Sequence, residues 1–377
     1  MSKIKKKAKI VIFANFSYLG GDPFVLLRLT KGLAQKGFVI TFVGPVGKSI
    51  YPFLRSLPWI QNVIPLVKDI ESISKKVEKE APDLLINSSP SIITAKIAFE
   101  RNEPIYTRIV GHPKWWIDPM GGPEKKVRRV VRSIGILSDR VITVSNFLKP
   151  LFISEGFNNV DTIYEGCNTN EFLPVKRERL EFRKEFGLSK KETAFGVIAH
   201  FTWQKRHDLV IRALSLYQKK NPYFKCFFVG GSCGQGMQNR ENELKKLVRK
   251  YNLQRHIIFT GFRNDIRRVI NGLDIPIFPF VEEAFGMAVV ESMACEKPVI
   301  LNRSGSFIEL IENSEEGLFV DAENPNTISK ALLELTENPK LSKAMGKKGR
   351  FRIKCKFSFQ RHLDAHLKLI KQLIKWN

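Results

Sequence analysis

The sequence contains few of the residues and runs that mark secreted or membrane-spanning proteins. Only five of its 377 residues are cysteine, and no two of them are spaced as CxxC. An odd, small number of cysteines, several of them within apolar runs, favours reduced core thiols in a cytoplasmic protein over a disulfide framework. Uncharged stretches such as residues 10–21 and 84–95 end after about a dozen residues, whereas a spanning helix needs roughly 20. We therefore expect no transmembrane segment.

The N-terminal residues resemble the start of a secretory signal but depart from it after a short distance. Several lysines between residues 3 and 9 precede the apolar run Ile10–Phe13. The apolar character is interrupted at Asn15. This early break favours a first buried strand over a signal peptide.

Acidic residues are scarce relative to basic ones. The chain has 62 Lys and Arg against 37 Asp and Glu, a formal net charge of +25. A protein with this excess of positive charge attracts polyanions, whether nucleic acid, phosphorylated substrates or an acidic membrane face. A lysine-rich composition alone gives the same net charge. The aromatic residues are mainly phenylalanine at core-like spacing, so a base-stacking platform has little support and we expect no nucleic-acid partner.

The sequence does contain an almost unbroken alternation of short apolar runs and helical stretches. Some thirteen candidate strands are separated by helices, which predicts βαβ units and parallel sheets covered on both faces. Thirteen strands are too many for one sheet, so the fold class is α/β with two Rossmann-like domains. We expect an N-terminal domain over residues 1–173 and a second domain over residues 174–357. The C-terminal helix, residues 358–377, is expected to pack back on the first domain.

The most informative stretch is residues 279–300, PFVEEAFGMAVVESMACEKPVI. A strand ends there, a short loop carries Glu283, and a helix that is apolar on nearly every side begins near Gly286. Such a helix is buried, so the carboxylate of Glu291 within it either faces a ligand or forms an internal salt bridge. The N–H groups at the helix start, near Gly286 and Met287, are typical of an anion site, and glycine lets a phosphate approach the backbone closely.

This stretch resembles the retaining glycosyltransferases of the GT-B fold, glycosyltransferase family 4. Their signature, a Glu, seven residues and a second Glu, reads here Glu283 to Glu291, within a matching frame that includes Phe285 and Gly286. The resemblance implies two domains facing across a cleft, with these residues binding the donor. Glu283 would lie against the donor sugar, Glu291 would bind the ribose hydroxyls, and the N–H groups of Gly286 and Met287 would hold the diphosphate.

A second match lies in residues 197–214, VIAHFTWQKRHDLVIRAL. In the family pattern, Lys205 occupies the position of the lysine that binds the diphosphate. His200 stands where the family usually has an arginine, and His is only partly charged at pH 7. Arg206, next to the lysine, is the alternative source of a second positive charge.

The N-terminal half offers weaker matches. A first strand, Gly20 and Gly21, and a first helix follow one another, as in a phosphate-binding loop, although the pattern is not GxGxxG. In the family, a Gly-Gly loop here faces the donor phosphate. His112 follows another strand and matches a histidine that the family often places beside the transferred sugar, which implies a catalytic role together with Lys205 and Glu283.

The resemblance implies a retaining hexosyltransferase that uses a nucleoside-diphosphate sugar and acts in glycolipid, cell-surface polysaccharide or other glycan synthesis. No Asp-x-Asp pair is present, which argues against a metal-bridged diphosphate, and His362 and His366 lack the Glu of an HExxH zinc site. We therefore expect neither a metal nor another cofactor. The alternatives are a phosphorylase or a sugar-nucleotide epimerase on the same fold, and a polyanion-binding protein.

Basic residues cluster in three places. The N-terminal ones are Lys3, Lys5, Lys6, Lys7 and Lys9. A second cluster is formed by Lys125, Lys126, Arg128, Arg129 and Arg132. In family members that modify lipid-linked acceptors, a basic N-terminal domain lies on the membrane. The expected partners are therefore a glycan or lipid-linked acceptor and an anionic surface, with the protein cytoplasmic or peripheral on the inner face of the membrane. The third cluster, Lys343 to Lys356, is interpreted as a solvated face.

Overall fold

The structure is a computed structural model that describes residues 7–14, 21–44, 50–66, 69–88, 92–111, 131–232, 239–312 and 314–374. Its chain divides into two compact units. Unit 1 comprises Met1–Gly166 and Gln360–Asn377, and unit 2 comprises Cys167–Phe359. The expected boundary after residue 173 lies within the first residues of unit 2. The last helix belongs to the same unit as the N-terminal residues.

Unit 1 is built on a seven-stranded sheet in which all pairs are parallel and the order is β3-β2-β1-β4-β5-β6-β7. Its central strands are buried along most of their length because they are covered on both faces, as the apolar runs predicted. The strands are β1 (Lys9–Phe13), β2 (Val39–Gly44), β3 (Asn62–Pro65), β4 (Leu84–Asn87), β5 (Ile105–Ile109), β6 (Arg140–Thr143) and β7 (Val160–Thr162).

The helices of unit 1 connect these strands and include the last helix of the chain. Asp69 begins one of them by accepting a hydrogen bond from the backbone N–H of Glu71, which satisfies a donor at the helix start. Residues 131–136 are helical, and the helices with defined bounds are α1 (Gly21–Gln35), α2 (Ile50–Arg55), α3 (Ile70–Glu80), α4 (Ile92–Arg101), α5 (Leu148–Ser154) and, at the end of the chain, α14 (Phe359–Leu373).

The last helix holds two buried histidines against the sheet of unit 1. Nδ1 of His366 lies 3.0 Å from the hydroxyl of Tyr106, and Nδ1 of His362 donates to the carbonyl oxygen of Tyr164 at 2.7 Å. Beside them, the buried guanidinium of Arg108 forms an ion pair with Glu165. Both histidines thus make hydrogen bonds to tyrosine groups in the core of unit 1.

Unit 2 is built on a six-stranded parallel sheet with the order β10-β9-β8-β11-β12-β13. Together the two sheets confirm the predicted pair of Rossmann-like domains. The strands are β8 (Thr193–Ile198), β9 (Phe224–Val229), β10 (Ile257–Gly261), β11 (Ile275–Phe278), β12 (Val299–Asn302) and β13 (Gly317–Val320).

The helices of unit 2 cover both faces of its sheet. They are α6 (Lys176–Glu185), α7 (His207–Tyr217), α8 (Arg240–Lys250), α9 (Ile266–Gly272), α10 (Met287–Ala294), α11 (Phe307–Leu310), α12 (Pro325–Glu337) and α13 (Pro339–Lys356). A 3₁₀ turn, Trp203–Lys205, precedes α7. No helix that the structure describes is both long enough and apolar enough to cross a bilayer.

Two sequence interpretations need correction in unit 2. The basic cluster from Lys343 to Lys356 is not wholly a solvated face, because Arg350 donates to the carbonyl oxygen of Phe172 at 3.0 Å and Arg352 donates to that of Leu310 at 2.7 Å. Three of the cysteines are buried as expected, but Cys355 is exposed on the outer side of α13.

Candidate functional site

The predicted donor-binding residues of unit 2 lie on two loops at one edge of its sheet and on helix α10, which follows the second loop. The strand order reverses between β8 and β11, and in open parallel sheets such a reversal leaves a crevice at the carboxyl ends of the strands. Loop A, residues 199–206, follows β8 and loop B, residues 279–286, follows β11. The backbone N–H of Val281 donates to the carbonyl oxygen of Gln204 at 3.0 Å, so the two loops are joined directly.

Lys205 of loop A and Glu283 of loop B meet at this edge. Nζ of Lys205 forms an ion pair with Oε2 of Glu283, and the side chains are 23% and 15% exposed. The ammonium also lies 4.2 Å from the centre of the Phe280 ring, a favourable cation–π distance. The structure therefore brings together a cation and a carboxylate from two separate motifs, both still accessible from solvent.

The backbone around Glu283 is held in an unusual conformation. Glu282 has φ of 55°, in the left-handed region that non-glycine residues seldom adopt. On the other side, Ser306 donates its N–H to the carbonyl oxygen of Glu283 at 3.1 Å. A Cβ on Gly305 would lie 2.8 Å from the backbone N and O of Glu283, so only glycine permits this close approach. Loop B is thus held by residues 305–306 as well as by its hydrogen bond to loop A.

Helix α10 begins directly after loop B with its N-terminus at the same edge. Gly286 is its N-cap residue, with φ of 100° and ψ of 59°, and a Cβ there would lie 2.6 Å from the Phe307 ring. The first N–H groups of any helix have no carbonyl partner within it and carry the positive end of the dipole. The start of α10, at Met287, is therefore suited to bind an anion.

Glu291 lies in the second turn of α10 and is half-buried. Because residues four apart share one face of a helix, Glu291 lies on the same face as Met287, one turn further from the N-terminus. The remainder of the helix is apolar and mostly buried, including Val289, Val290 and Met293. This carboxylate and the helix start can therefore contact two parts of one elongated ligand.

His200 and Arg206, the two candidates for a second cation, lie in different surroundings. Burial and the positive charge of Lys205 lower the pKa of His200, so its imidazole is mainly neutral at pH 7. Arg206 forms a two-bond ion pair with Glu323, which raises its pKa, and its Nη2–Oε2 distance is 3.3 Å. Both cations of loop A are therefore paired with a carboxylate: Arg206 with Glu323, and Lys205 with Glu283 of loop B, the loop that leads into α10.

Four predicted site residues remain, and the structure describes two of them, Phe285 and Gly21. Phe285 is buried, and its ring packs against Phe357 at 5.9 Å between centroids, so it anchors loop B in the core of unit 2. Gly21 is the first residue of α1 in unit 1. Gly20 and His112 lie outside the described residues.

Sequence analysis did not identify two exposed aromatic residues, Trp203 within loop A and Phe262 beside it. The ring of Phe262, after β10, is 65% exposed and lies 5.4 Å from that of His200. Trp203, in loop A, is 60% exposed, and the guanidinium of Arg240 stacks on its ring at 3.4 Å. The sequence could have indicated Phe262, because it is a large apolar residue directly after Gly261, at the carboxyl end of a strand. No short-range sequence pattern predicts that Trp203 stacks with Arg240.

The arrangement joins an ammonium, a carboxylate pair and a helix N-terminus at one sheet edge. The ammonium and the helix start stabilise negative charge, whereas Glu283 and Glu291 accept hydrogen bonds from hydroxyl groups. Within the part of the chain that the structure describes, no group of three or more His, Cys, Asp or Glu residues is placed to hold a metal ion.

Residues 178–352 match the model of the family described as glycosyl transferases group 1. The putative glycosyltransferase EpsD of Bacillus subtilis is 26% identical over 186 residues, which are 49% of this chain and 47% of that protein. The chain thus spans about half the length of curated relatives such as this one. An uncharacterized glycosyltransferase of Haemophilus influenzae is 25% identical over 350 residues, 89% of this chain and 92% of that protein.

The crystal structure of HepE from Anabaena in complex with UDP and glucose is similar across both units. The TM-score is 0.84 at 19% identity, and the similarity covers 97% of this chain and 100% of that chain. An identity this low shows the fold, which in both proteins is a pair of Rossmann-like domains. The chain therefore has the GT-B fold, and its residues 178–352 are similar to the glycosyl transferases group 1.

Proposed function

We propose that this protein is a retaining glycosyltransferase that moves a hexose from a nucleoside-diphosphate sugar to an acceptor hydroxyl. The observation that carries the proposal is the meeting of Lys205, Glu283 and the start of α10 at the strand-order reversal of unit 2. The relatives named as glycosyltransferases support the reaction class, and the UDP and glucose in the complex of HepE support this type of donor.

In this proposal the donor lies along the edge formed by loops A and B. The ribose hydroxyls donate hydrogen bonds to Glu291, and the diphosphate lies between the N–H groups of Gly286 and Met287 and the ammonium of Lys205. The hexose contacts Glu283, which either stabilises positive charge at the sugar or positions its hydroxyls. The exposed ring of Phe262, close to the same loops, offers an apolar face to the base.

Two opposite charges develop during such a transfer. The sugar becomes oxocarbenium-like, and the departing diphosphate gains negative charge. Lys205 and the helix dipole of α10 stabilise the second charge, in the role that a divalent metal has in other transferases. We therefore propose a metal-independent reaction. The departing phosphate oxygen takes the proton of the acceptor hydroxyl on the same face of the sugar, which retains the configuration.

We further propose that unit 2 is the donor domain and unit 1 the acceptor domain, with a glycan or lipid-linked acceptor. His112 is assigned beside the transferred sugar and Gly20 and Gly21 near the donor phosphate by the family pattern alone.

The basic clusters at residues 3–9 and 125–132 support peripheral attachment to the inner face of an anionic membrane, because each Lys or Arg near such a surface contributes about 1 kcal/mol.

The test is a panel of UDP-, GDP- and ADP-sugars with the purified full chain. Only the preferred donor should raise the melting temperature appreciably, since a ligand stabilises by mass action according to its affinity. The same donor should then be hydrolysed slowly or transferred, with the anomeric configuration of the product read by NMR. Turnover should survive excess EDTA.

Three results would contradict parts of this proposal. Loss of turnover with EDTA and its return with Mg²⁺ would make the assignment of Lys205 as the leaving-group cation wrong. A product of inverted configuration would exclude the same-face reaction. A sugar phosphate formed only when orthophosphate is added would identify a phosphorylase instead.

A further inference from the structure

A cavity of about 340 Å³ lies in unit 2 at the edge of the sheet where the strands begin. Its lining includes Thr193 and Ile275, the first residues of β8 and β11, and Pro298, which precedes β12. Because a strand rises about 3.3 Å per residue, β8 separates this edge from loop A by roughly 17 Å. The cavity is therefore distinct from the site formed by Lys205 and Glu283.

The lining of this cavity is strongly basic. Six cationic side chains share it with the three acidic side chains of Asp274, Glu192 and Glu296. The cationic residues are Arg179, Arg183, Lys190, Lys191, Lys297 and Lys343. A concave surface with this excess of one charge raises the local concentration of anions.

The two arginines are already matched by a carboxylate. Asp274 lies 2.6 Å from Nη2 of Arg179 and 3.2 Å from Nη1 of Arg183, and it also accepts the N–H of Ala194 at 2.8 Å. Glu192 lies 3.7 Å from the ammonium of Lys225, which is not part of the lining. Asp274 is thus fully engaged in holding the arginines.

The lysines of the lining have no such partners. Lys190, Lys191 and Lys343 are exposed, and none of them forms an ion pair with any residue that the structure describes. They come from the segment before β8 and from the first turns of α13. Three ammonium groups from two separate elements therefore border one cavity and can bind the same anion.

Lys297 also lines the cavity, and backbone carbonyl groups hold its ammonium. Its Nζ donates to the carbonyl oxygens of Asn271 at 2.9 Å and Leu273 at 2.7 Å, which uses two of the three N–H donors of an ammonium. Burial, together with the positive charge of Arg179, lowers the pKa of Lys297 to about 8. The group remains mainly charged at pH 7, and an anion beside it would offset its desolvation.

The size of the cavity favours a compact anion, because cationic residues from separate elements border a space of only about 340 Å³. A flexible polysaccharide or a flat membrane surface can contact the exposed lysines but is too large to occupy this space. We propose that this cavity binds a soluble anion with two or more phosphate groups, of the size of inorganic diphosphate, as a second ligand separate from the donor. Phosphate oxygens accept several hydrogen bonds each and match a set of four ammonium groups.

The experiment is calorimetric titration of the full chain with inorganic diphosphate. All titrations are made in the background of Lys205→Ala, which removes the ammonium of the donor site, so that any diphosphate still bound there contributes equally to every variant. A triple variant, Lys190→Gln, Lys191→Gln and Lys343→Gln, removes three charges from the cavity. The matched control, Lys219→Gln, Lys220→Gln and Lys250→Gln, removes three exposed charges elsewhere in unit 2.

We expect the cavity variant to lose at least tenfold in diphosphate affinity and the control to change by less than twofold. Lys297→Gln, which keeps a donor for the backbone carbonyls, should give a loss of similar size. Equal affinities in the cavity variant and the control would overturn the proposal, as would the absence of any binding in the Lys205→Ala background. Binding to phosphatidic acid vesicles that is lost in the cavity variant, without binding to diphosphate, would identify a lipid headgroup as the ligand. That result would also overturn the proposal of a soluble anion.

Discussion

At the scale of single residues, Glu291 gives the clearest test of the proposed donor site. Replacing it by Ala should remove charge-assisted hydrogen bonds to the ribose, each worth about 1.5–3 kcal/mol, and so weaken donor binding by about ten- to a hundredfold. Titration of the preferred donor would measure this loss. A variant that binds the donor normally but melts at a clearly lower temperature would show instead that Glu291 forms a structural salt bridge.

Lys205 should affect turnover more than donor affinity. Its charge matters most as the diphosphate departs, so Lys205→Ala should lower kcat by about 10²–10³-fold while donor affinity changes much less. Steady-state kinetics together with direct donor titration separate the two effects. Arg206→Ala is the control, since that guanidinium pairs with Glu323. An equal loss of kcat in both variants would mean that Arg206 shares the leaving-group role.

The identity of these residues could be predicted from the sequence, whereas their partners could not. The resemblance to the family pattern singled out Lys205 and Glu283, each in a loop between an apolar strand and a helix. Their ion pair joins positions 78 residues apart, and the pair of Arg206 with Glu323 spans 117 residues. Such contacts depend on strand order, which no short pattern specifies. The neutral state of His200 at pH 7 likewise follows from its burial, a property of the folded chain.

At the scale of elements, the start of α10 depends on one glycine. Gly286→Ala would combine a φ of 100° with a Cβ 2.6 Å from Phe307, so the ring or the helix start must move. We expect a loss of stability of about 1–3 kcal/mol, with weaker donor binding because the N–H groups shift. Urea unfolding and donor titration measure the two effects.

Gly261→Ala is the matched control for this substitution. Gly261 also has positive φ, 69°, but nothing lies within 4 Å of a Cβ built on it. This variant should lose stability through backbone strain alone and should bind the donor normally. If both variants lost the same stability and kept full donor binding, the contact with Phe307 would not determine the position of the helix start.

The elements themselves were largely predictable because buried parallel strands form short apolar runs. The first buried strand, predicted at the apolar run Ile10–Phe13, corresponds to β1 at Lys9–Phe13, and the predicted helix start near Gly286 corresponds to α10 at Met287. The exact ends of an element are less predictable: β1 ends at Phe13, two residues before the apolar character of the sequence breaks at Asn15. The basic stretch of α13 was misread since charge alone does not show that Arg350 and Arg352 reach buried carbonyl groups.

At the scale of the whole molecule, the buried histidines of α14 should make stability depend on pH. Burial, with the nearby charge of Arg108, lowers the pKa of His362 to about 4 and that of His366 well below its usual value. The unfolded chain, with histidine pKa near 6.5, binds more protons between about pH 4 and 6.5. The neutral form of each buried histidine therefore contributes fully to the free energy of unfolding above pH 6.5. This contribution is lost as the pH falls towards 4, by up to about 1.4 kcal/mol per pH unit for each histidine.

Urea unfolding at pH 7 and pH 5 measures this dependence. His362→Asn keeps a donor near the carbonyl of Tyr164 but cannot titrate, so the difference between the two midpoints should shrink. Circular dichroism at pH 7 verifies that the variant is folded. An unchanged difference would mean that other groups dominate the acid sensitivity.

Membrane attachment is the second prediction at this scale. Vesicles of phosphatidylglycerol should co-sediment with the protein at low salt, and neutral vesicles should not, because salt screens the attraction of basic residues to the surface. Replacing Lys125, Lys126, Arg128 and Arg129 by Ser should abolish the binding; these residues lie outside the described part of the chain. No co-sedimentation with either type of vesicle at low salt would contradict membrane attachment and favour a soluble acceptor.

The division of the chain into units has a consequence for its synthesis on the ribosome. Unit 2 is one continuous stretch, Cys167–Phe359, but unit 1 needs residues from Gln360 onwards. Tyr106 leaves the ribosome 260 residues before His366, its hydrogen-bond partner. At 5–20 residues per second this interval is roughly 10–50 s. During that time the nascent sheet of unit 1 lacks its last helix, so most of unit 2 emerges before unit 1 is complete.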